Sequence, residues 1–306
     1  MSVVWLPFRE SEPGLGPLPP GLQVDRWDGS GLWPETISDV EFYVLPYMLG
    51  SRALEPVPLM RRLRVLQTLT AGFDDVLAVR PPGVMLCNAP GVHDDSTAEL
   101  AVTLTLASLR GIPDFVRAAG RHRWAPASYP ALADRTVVVV GFGGVGQAVA
   151  RRLQGFDVQV LPVASRPRDS AHGQVYGIDG IAALLPSADV VILCLPLNES
   201  TRGLVDVDFL ATMKDGALLV NVSRGAVVVT AALLAELTAG RLTAAVDVTD
   251  PEPPPADHAL WDAPGLLISP HVGGNTSAFA PRAHRFLNGQ LRRYAAGEHL
   301  LGVVAG

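Results

Sequence analysis

The sequence contains few of the residues from which disulfide-bonded, metal-bound or membrane-spanning proteins are built. Its only cysteines, Cys87 and Cys194, lie in or beside apolar segments without a C-x-x-C spacing, and we expect buried thiols in a reducing compartment. No metal site is predicted. No uncharged apolar run approaches the roughly 18 residues that span a bilayer, and no basic stretch followed by an apolar segment marks a signal peptide. We therefore expect a cytoplasmic protein with no membrane partner.

Lysine is almost absent, and basic residues are outnumbered by acidic ones. Lys214 is the only lysine among 24 Lys+Arg residues, and 30 Asp+Glu residues bring the net charge to −6. This balance argues against nucleic acid and anionic membranes as partners. The arginine bias is typical of a GC-rich, bacterial genome. Aromatic residues make up only 6%, but the 48% hydrophobic content suffices for a core, and 306 residues predict two domains.

Short apolar runs alternate with helix-like stretches from Asp134 onward. Strands that helices cover on both faces have this composition, so the alternation predicts a parallel, doubly wound sheet. The predicted strands are residues 136–140, 189–195, 217–222, 244–248 and 266–268. The predicted helices are residues 145–153, 177–185 and 230–239, the last with Thr230 as its N-cap.

The first 90 residues repeat this alternation less clearly. Strands are expected at residues 3–6, 41–45, 65–69 and 84–87. A long helix is predicted over residues 96–110, where Ser96 and Glu99 have the spacing of a capping box. A second amphipathic helix is predicted over residues 276–295.

A glycine-rich loop follows the strand at residues 136–140 and opens a helix. The loop reads Gly141-Phe142-Gly143-Gly144-Val145-Gly146, which is the G-x-G-x-x-G pattern. Its first glycine permits a tight turn, the second lets backbone amides approach a pyrophosphate, and the third allows helix and strand to pack closely. The alternative is an ordinary glycine-rich turn, but the flanking strand and helix favour dinucleotide binding.

The end of the following strand indicates which dinucleotide is bound. An acidic residue there would bind the ribose of NAD, but the segment carries Ser165, Arg166 and Arg168, with no carboxylate before Asp169. A hydroxyl and two guanidinium groups suit a 2′-phosphate, because arginine binds phosphate bidentately. The sequence therefore favours NADP(H), with NAD(H) as the second choice. The alternative interpretation is a solvated basic loop.

Three polar residues lie at the ends of downstream strands. They are Arg224, Glu252 and His271. Ligands of open α/β sheets bind beyond the carboxyl ends of the strands, so these side chains can converge on one crevice. Each residue alone has a simpler explanation. Arg224 could form a surface ion pair, Glu252 could be a turn residue, and His271 could begin a helix or lie in a turn. Their joint position downstream of a nucleotide loop favours a shared site.

These segments together resemble the D-isomer-specific 2-hydroxyacid dehydrogenase family, which includes glyoxylate/hydroxypyruvate reductases and phosphoglycerate dehydrogenases. The resemblance lies in residues 70–74, 88–92, 96–101, 141–146, 213–225, 247–253 and 269–274. It covers nearly the whole chain and is weakest over the first 60 residues. As a set, these motifs are far more specific than the glycine loop alone.

The resemblance implies a role for each matching residue. Arg224 would bind the carboxylate of a 2-keto acid, His271 would exchange a proton with the carbonyl oxygen, and Glu252 would orient and charge the imidazole ring. The backbone amides of Ala71 and Gly72 would complete the carboxylate site. The remaining positions implied to line the cofactor are Thr201, Val222, Ser223, Asp247, Gly273 and Gly274, of which Asp247 would contact the nicotinamide carboxamide.

The same resemblance implies the architecture. A Rossmann dinucleotide-binding domain, residues 95–275, would be inserted into a flavodoxin-like substrate-binding domain formed by residues 1–94 and 276–306. Family members are usually dimers, so we expect a homodimer, for which Trp124 is an interface candidate; a core position is the alternative for that side chain.

The loop at residues 45–49 departs from phosphoglycerate dehydrogenases, because it lacks the arginines that they place there. We therefore expect a small, unphosphorylated 2-keto or 2-hydroxy acid as substrate, such as glyoxylate or hydroxypyruvate, with hydride exchanged with NADP(H). Two alternatives stay open. One is a nucleotide-sensing binding protein like the C-terminal-binding corepressors, and the other is a dehydrogenase of another small anion such as phosphite.

Overall fold

The chain divides into two units, each built around its own sheet. The structure, a computed structural model, describes residues 1–9, 12 and 14–306. One unit comprises Met1–His93 with Thr276–Gly306, and the other comprises Asp94–Asn275. The sequence places the two boundaries after residues 94 and 275.

The strands and helices follow one another in the chain with short connections. The strands are β1 Ser2–Leu6, β2 Leu22–Arg26, β3 Val40–Val44, β4 Val65–Gln67, β5 Met85–Cys87, β6 Thr136–Val140, β7 Gln159–Ala164, β8 Arg168–Ser170, β9 Gly173–Gly177, β10 Val190–Leu193, β11 Leu218–Asn221, β12 Thr243–Val246, β13 Leu266–Ile268 and β14 Val303–Ala305. The α-helices are α1 Asp74–Leu77, α2 Asp94–Leu109, α3 Ile112–Ala119, α4 Gly144–Leu153, α5 Val207–Thr212, α6 Thr230–Thr238 and α7 Phe279–Ala296. Across the part of the chain that the structure describes, no helix combines the length and apolarity needed to cross a membrane.

The unit that contains both chain ends has a six-stranded sheet in the order β14-β5-β4-β3-β1-β2. Strands β1 to β5 are parallel, and their order is the flavodoxin-like order 2-1-3-4-5. Only β14 is antiparallel, at the edge beside β5. Alternate residues of β1 enter different cores, with Val3 and Trp5 on one face and Val4 and Leu6 on the other. This is why the strand is apolar throughout.

The Asp94–Asn275 unit has an eight-stranded sheet in the order β13-β12-β11-β10-β6-β7-β9-β8. Counted from β6, and leaving aside the β8 edge strand, this is the Rossmann order 3-2-1-4-5-6 extended by one strand. Valines of β6 alternate between the two faces, Val137 and Val139 on one and Val138 and Val140 on the other. Helices α2 and α4 pack against each other, and α2 also packs on β11 and β12. The predicted fold class of two doubly wound parallel-sheet domains is confirmed.

Three local predictions were wrong. Residues 177–185 do not form an α-helix but two short 3-10 turns, Ile178–Ala183 and Leu185–Ser187, because Gly180 and Pro186 disfavour a continuous helix. Ser96 is not the N-cap residue of α2, because the helix begins at Asp94 and Ser96 lies inside its first turn. Thr230 is the first residue of α6 rather than its N-cap, and its hydroxyl donates to the Asp250 carbonyl instead.

Both cysteines are free thiols. Burial raises the pKa of Cys87 to about 11 and that of Cys194 to about 12, so both thiols are protonated near neutral pH. Cys194 follows β10, and its carbonyl lies against the glycine loop described next.

Candidate active site

The glycine loop occupies the point of the sheet where the strand order reverses, between β6 and β10. Gly141 has a φ of +98°, and a Cβ there would lie 2.5 Å from the Cys194 carbonyl oxygen. A Cβ at Gly146 would lie 2.1 Å from the Gly141 carbonyl oxygen, so helix and strand pack as closely as the sequence predicted. Above Gly143, the space that a Cβ would enter is open.

The first amides of α4 face this open space. The Gln147 N–H donates to the Gly143 carbonyl at 3.0 Å, so the N–H groups of Gly144, Val145 and Gly146 precede the first intrahelical bond. Amides at such a position bind anions. The loop therefore fits the pyrophosphate of a dinucleotide.

A carboxylate that the sequence did not single out borders this loop. A Cβ at Gly144 would lie 1.9 Å from Oδ2 of Asp94, the first residue of α2. A side chain at position 144 would therefore displace the Asp94 carboxylate from its present place. The Asp94 carboxylate also places a negative charge beside the amides that would hold the pyrophosphate.

The predicted 2′-phosphate residues lie at the end of β7, beside the glycine loop. Ser165 and Arg166 are exposed in the bend after the strand, and Arg168 begins β8. The Arg168 guanidinium donates to the Phe142 carbonyl at 2.8 Å, which places its charge on the glycine loop itself. The short β8–β9 hairpin, which the sequence did not predict, fixes this position.

Thr201 has its hydroxyl engaged within the loop after β10. The hydroxyl donates to the Pro196 carbonyl at 2.7 Å and accepts from the Asn198 N–H at 2.9 Å. The Asn198 side chain in turn accepts from the N–H groups of Ser200 and Thr201, at 2.9 and 3.1 Å. Asn198 therefore closes a turn that buries Thr201.

The loop that carries Arg224 is held by Asn221, the last residue of β11. The Asn221 Oδ1 atom accepts from the N–H and the hydroxyl of Ser223, at 3.0 and 2.7 Å, and its Nδ2 donates to the Arg224 carbonyl at 3.0 Å. Val222 and Ser223 are buried, and Arg224 is half-buried. The Arg224 guanidinium donates to the Ser223 carbonyl at 2.8 Å.

The loop that carries His271 is held by Asp247, which directly follows β12. Its buried carboxylate accepts from the Ser269 hydroxyl at 2.6 Å and from the N–H groups of Val272 and Gly273, both at 2.9 Å. A Cβ at Gly273 would lie 3.0 Å from this carboxylate, so Asp247 and the loop pack tightly. Gly274 is half-buried at the end of the same loop.

His271 and Glu252 form a close pair. The imidazole Nδ1 and the Glu252 Oε1 are 2.5 Å apart. This hydrogen bond raises the pKa of His271 against the opposing effects of burial and of the Arg224 charge. Burial raises the pKa of Glu252, but the hydrogen bond from His271 and the charges of His271 and Arg224 outweigh it and lower the pKa overall. A protonated imidazole beside an ionised carboxylate, with Arg224 acting on both, can deliver a proton to a polar substrate atom.

Ala71 and Gly72, whose amides the sequence predicts to bind the substrate carboxylate, lie in the loop after β4 of the other unit. Their carbonyls are engaged, because Asn88 Nδ2 donates to the Ala71 oxygen at 2.8 Å and the Thr70 hydroxyl donates to the Gly72 oxygen at 2.6 Å. Within residues 1–9, 12 and 14–306, the N–H groups of Ala71 and Gly72 donate to no group. Two adjacent amides in this state can bind a carboxylate.

Sequence reasoning missed Asn221 and Ser269, which hold the loops, and Asp94, which borders the glycine loop. Asn221 carried a signal, because it is a polar residue at the end of a strand that is otherwise buried and apolar, and such a residue needs partners. The described residues include no cluster of three or more His, Cys, Asp or Glu side chains suited to a metal ion.

The sequence is similar to those of known proteins. A family profile described as the NAD-binding domain of D-isomer-specific 2-hydroxyacid dehydrogenases matches residues 102–273. The chain is 38% identical over 226 residues to the glyoxylate reductase/hydroxypyruvate reductase of Mus musculus, covering 70% of this chain and 68% of that protein. It is 32% identical over 286 residues to the glyoxylate reductase of Pyrococcus furiosus, covering 87% and 84% of the two chains.

One solved structure is similar in fold to nearly the whole chain. The NADPH-dependent glyoxylate/hydroxypyruvate reductase of Sinorhizobium meliloti, in complex with NADP and sulfate, superimposes with a TM-score of 0.83 at 26% identity. The match covers 99% of this chain and 98% of that chain.

Proposed function

The chain belongs to the D-isomer-specific 2-hydroxyacid dehydrogenase family, and we propose that it reduces a small 2-keto acid with NADPH. Glyoxylate and hydroxypyruvate are the first candidates, since relatives of this chain carry their names. The observation that carries the proposal is the His271–Glu252 pair at 2.5 Å, on which the charge of Arg224 also acts.

Each side chain of this group has a separate task. The Arg224 guanidinium binds the substrate carboxylate through two parallel N–H donors and polarises the adjacent carbonyl. The protonated His271 gives its proton to the carbonyl oxygen as that oxygen gains charge, and the neutral ring takes it back in the oxidation direction. Glu252 keeps the ring oriented and charged. A bound nicotinamide supplies the hydride.

The cofactor side of the proposal rests on the glycine loop and its neighbours. Gly141 and Gly146 permit the tight turn and the close packing of helix on strand, and the open space at Gly143 leaves room for the pyrophosphate, which the first amides of α4 would bind. Ser165, Arg166 and Arg168 would bind the 2′-phosphate, and Arg168 is already held against the glycine loop. The other residues proposed to contact the cofactor are Thr201, Val222, Ser223, Asp247, Gly273 and Gly274, of which Val222, Ser223 and Asp247 would line the nicotinamide.

The unit that contains both chain ends would bind the substrate. The amides of Ala71 and Gly72, whose carbonyls accept from Asn88 and Thr70, would complete the site for the substrate carboxylate. Residues 45–49, in the loop after β3, carry no charge, which favours an unphosphorylated substrate.

The direct test offers the protein a panel of 2-keto acids, each with NADPH and with NADH. The decrease in absorbance of the reduced nicotinamide measures the rate. We expect turnover of at least one small unphosphorylated acid, and faster turnover with NADPH. Phosphite with NADP⁺ belongs in the panel, because the same three residues could act on that anion. A chain that turns over no acid with either cofactor would not be this reductase, and partner binding that depends on cofactor would then favour a corepressor-like role.

The protein is further proposed to be a homodimer. Helix α3 buries none of its residues, and Ile112 and Val116 are 48% and 65% exposed. Trp124 in the following segment is 96% exposed, which contradicts a core position for it. Such an apolar surface fits a second copy of the chain. Sedimentation should show a dimer for the wild type and a larger monomer fraction for Val116→Asp and Trp124→Ser; a monomeric wild type would refute the assembly.

A further inference from the structure

We propose that Ser269 and Asp247 form a positioning pair that fixes the imidazole of His271 for proton transfer. The inference rests on the proposed role of His271 as the acid/base of a 2-keto acid reductase. It assigns Ser269 a role in the reaction, and it gives Asp247 a task beyond contact with the cofactor.

The pair arises from the register of two neighbouring parallel strands. Val246 of β12 lies opposite Ile268 of β13, so Asp247 and Ser269 are each the first residue beyond an aligned strand end. The Ser269 N–H continues the ladder by donating to the Val246 carbonyl at 2.8 Å. The two side chains then meet at the same level, and the Ser269 hydroxyl donates to the Asp247 Oδ1 at 2.6 Å.

The Asp247 carboxylate is buried, with 3% of the residue exposed, and its three donors all come from the His271 loop. Oδ1 accepts from Ser269 and from the Val272 N–H, and Oδ2 accepts from the Gly273 N–H. Hydrogen bonds to an ionised acceptor are about twice as strong as neutral ones. Since two carboxylate oxygens offer about four acceptor positions, one position on Oδ2 stays available for the amide of a nicotinamide.

His271 lies between the points at which this pair holds the chain. Its N–H donates to the backbone carbonyl of Asp247 at 2.7 Å and to that of Ser269 at 3.1 Å, and its φ is +52°. A left-handed conformation is unusual for a residue other than glycine and persists where its surroundings fix it. Glu252 holds the ring itself through Nδ1. The backbone is thus fixed by Ser269 and Asp247, and the ring by Glu252.

Charge supports the same assignment. The groups that act on the His271 ring are Glu252, Arg224 and Asp247, and the Asp247 charge raises the pKa of His271. Loss of that charge would therefore make the ring a stronger acid, with fewer molecules protonated at neutral pH.

The test compares Ser269→Ala with Ser269→Thr, which keeps the hydroxyl, and with Ser187→Ala, which removes a serine hydroxyl bonded to the Leu184 carbonyl elsewhere in the unit. We expect Ser269→Ala to lower kcat for keto-acid reduction about tenfold, the loss expected for one hydrogen bond to a charged group, with little change in KM. Ser269→Thr should recover most of the rate, and Ser187→Ala should match the wild type.

Asp247→Asn adds a readout that does not depend on turnover. In the unliganded protein with ¹³C-labelled histidine, the His271 signal, identified by its loss in His271→Asn, should titrate at lower pH in Asp247→Asn than in the wild type. An unchanged midpoint, or a Ser269→Ala variant that loses thermal stability while keeping the wild-type kcat, would overturn the positioning role. If the wild type reduces no 2-keto acid, the proposed function fails, and the titration alone decides whether the pair acts on His271.

Discussion

Two neighbouring loops of the Asp94–Asn275 unit are held in nearly the same way, but by side chains of different charge. In each, a serine hydroxyl donates to the Oδ1 of a buried residue at a strand end, Ser223 to Asn221 at 2.7 Å and Ser269 to Asp247 at 2.6 Å. The neutral amide holds the loop of Arg224, and the carboxylate holds the loop of His271.

The difference matches the chemistry proposed for the two loops. Arg224 must keep its charge for the substrate carboxylate, and a carboxylate in its own loop would compete for it. His271 must keep a proton near neutral pH, and a nearby negative charge favours the protonated ring. The two loops thus share one hydrogen-bonding arrangement. The residue at its centre is neutral (Asn221) beside the arginine and charged (Asp247) beside the histidine.

The largest expected effect is the loss of the His271 side chain, and it differs in kind from the loss of Arg224. His271→Ala should lower kcat by about 10²–10⁴-fold, the usual contribution of a general acid, with little change in KM. Arg224→Ala should instead act mainly on KM, because it removes the carboxylate partner. Steady-state kinetics on hydroxypyruvate or glyoxylate measures both.

The control for this comparison is His299→Ala, which removes an exposed histidine of the other unit and should leave both constants unchanged. If His271→Ala kept the wild-type kcat, the acid/base assignment would be wrong.

A smaller effect on the kinetics should follow when Asn221, the neutral residue that holds the Arg224 loop, is replaced by a charged one. Asn221→Asp replaces the donor to the Arg224 carbonyl and adds a carboxylate to that loop. We expect KM to rise about tenfold, and kcat to change less, since one hydrogen bond is lost and the new carboxylate offsets part of the attraction between Arg224 and the substrate. Kinetics on the same substrates checks the split.

Asn221→Ala removes all three hydrogen bonds of this side chain without adding charge. If the added charge dominates, Asn221→Ala should raise KM less than Asn221→Asp does. A KM for Asn221→Ala that equals or exceeds that of Asn221→Asp would assign the effect to the hydrogen bonds.

The smallest ranked effect concerns the cofactor rather than the loops. Arg166→Ala should weaken NADPH binding by about five- to tenfold and leave NADH binding nearly unchanged, because the exposed guanidinium is proposed to contact only the 2′-phosphate. Fluorescence titration of the purified protein measures both dissociation constants.

Arg110→Ala removes an exposed arginine just beyond α2 and serves as the matched control, with no change expected for either cofactor. Equal loss of NADPH and NADH affinity in Arg166→Ala would instead identify a general electrostatic effect.

The sequence was most informative where one pattern decides one structure. Runs such as residues 136–140 are apolar on both faces, which leaves a buried parallel strand as the natural outcome, and the glycine loop carries its own geometric requirements. Residues 177–185 were ambiguous, because small and aliphatic residues satisfy a 3-10 turn as well as an α-helix. The β8–β9 hairpin was missed because its strands are short and exposed.

For the candidate site, residue types and spacing indicated Arg224, Glu252 and His271, and the family resemblance implied their roles. The residues that hold their loops were not predictable in the same way. Ser269 acts through Asp247, which lies 22 positions earlier and meets it only because β12 and β13 are neighbours. Such contacts depend on strand register, which a local pattern does not contain.

The most direct test of the central claim is the pH dependence of kcat for keto-acid reduction in the wild type and in Glu252→Gln. The hydrogen bond to Glu252 raises the pKa of His271, so the wild-type rate should be high at low pH and fall as pH rises through a midpoint above the ordinary histidine value of about 6.5. Glu252→Gln removes that carboxylate, and its midpoint should move to lower pH. The same midpoint in both proteins, or a wild-type rate that does not fall with rising pH, would contradict the account.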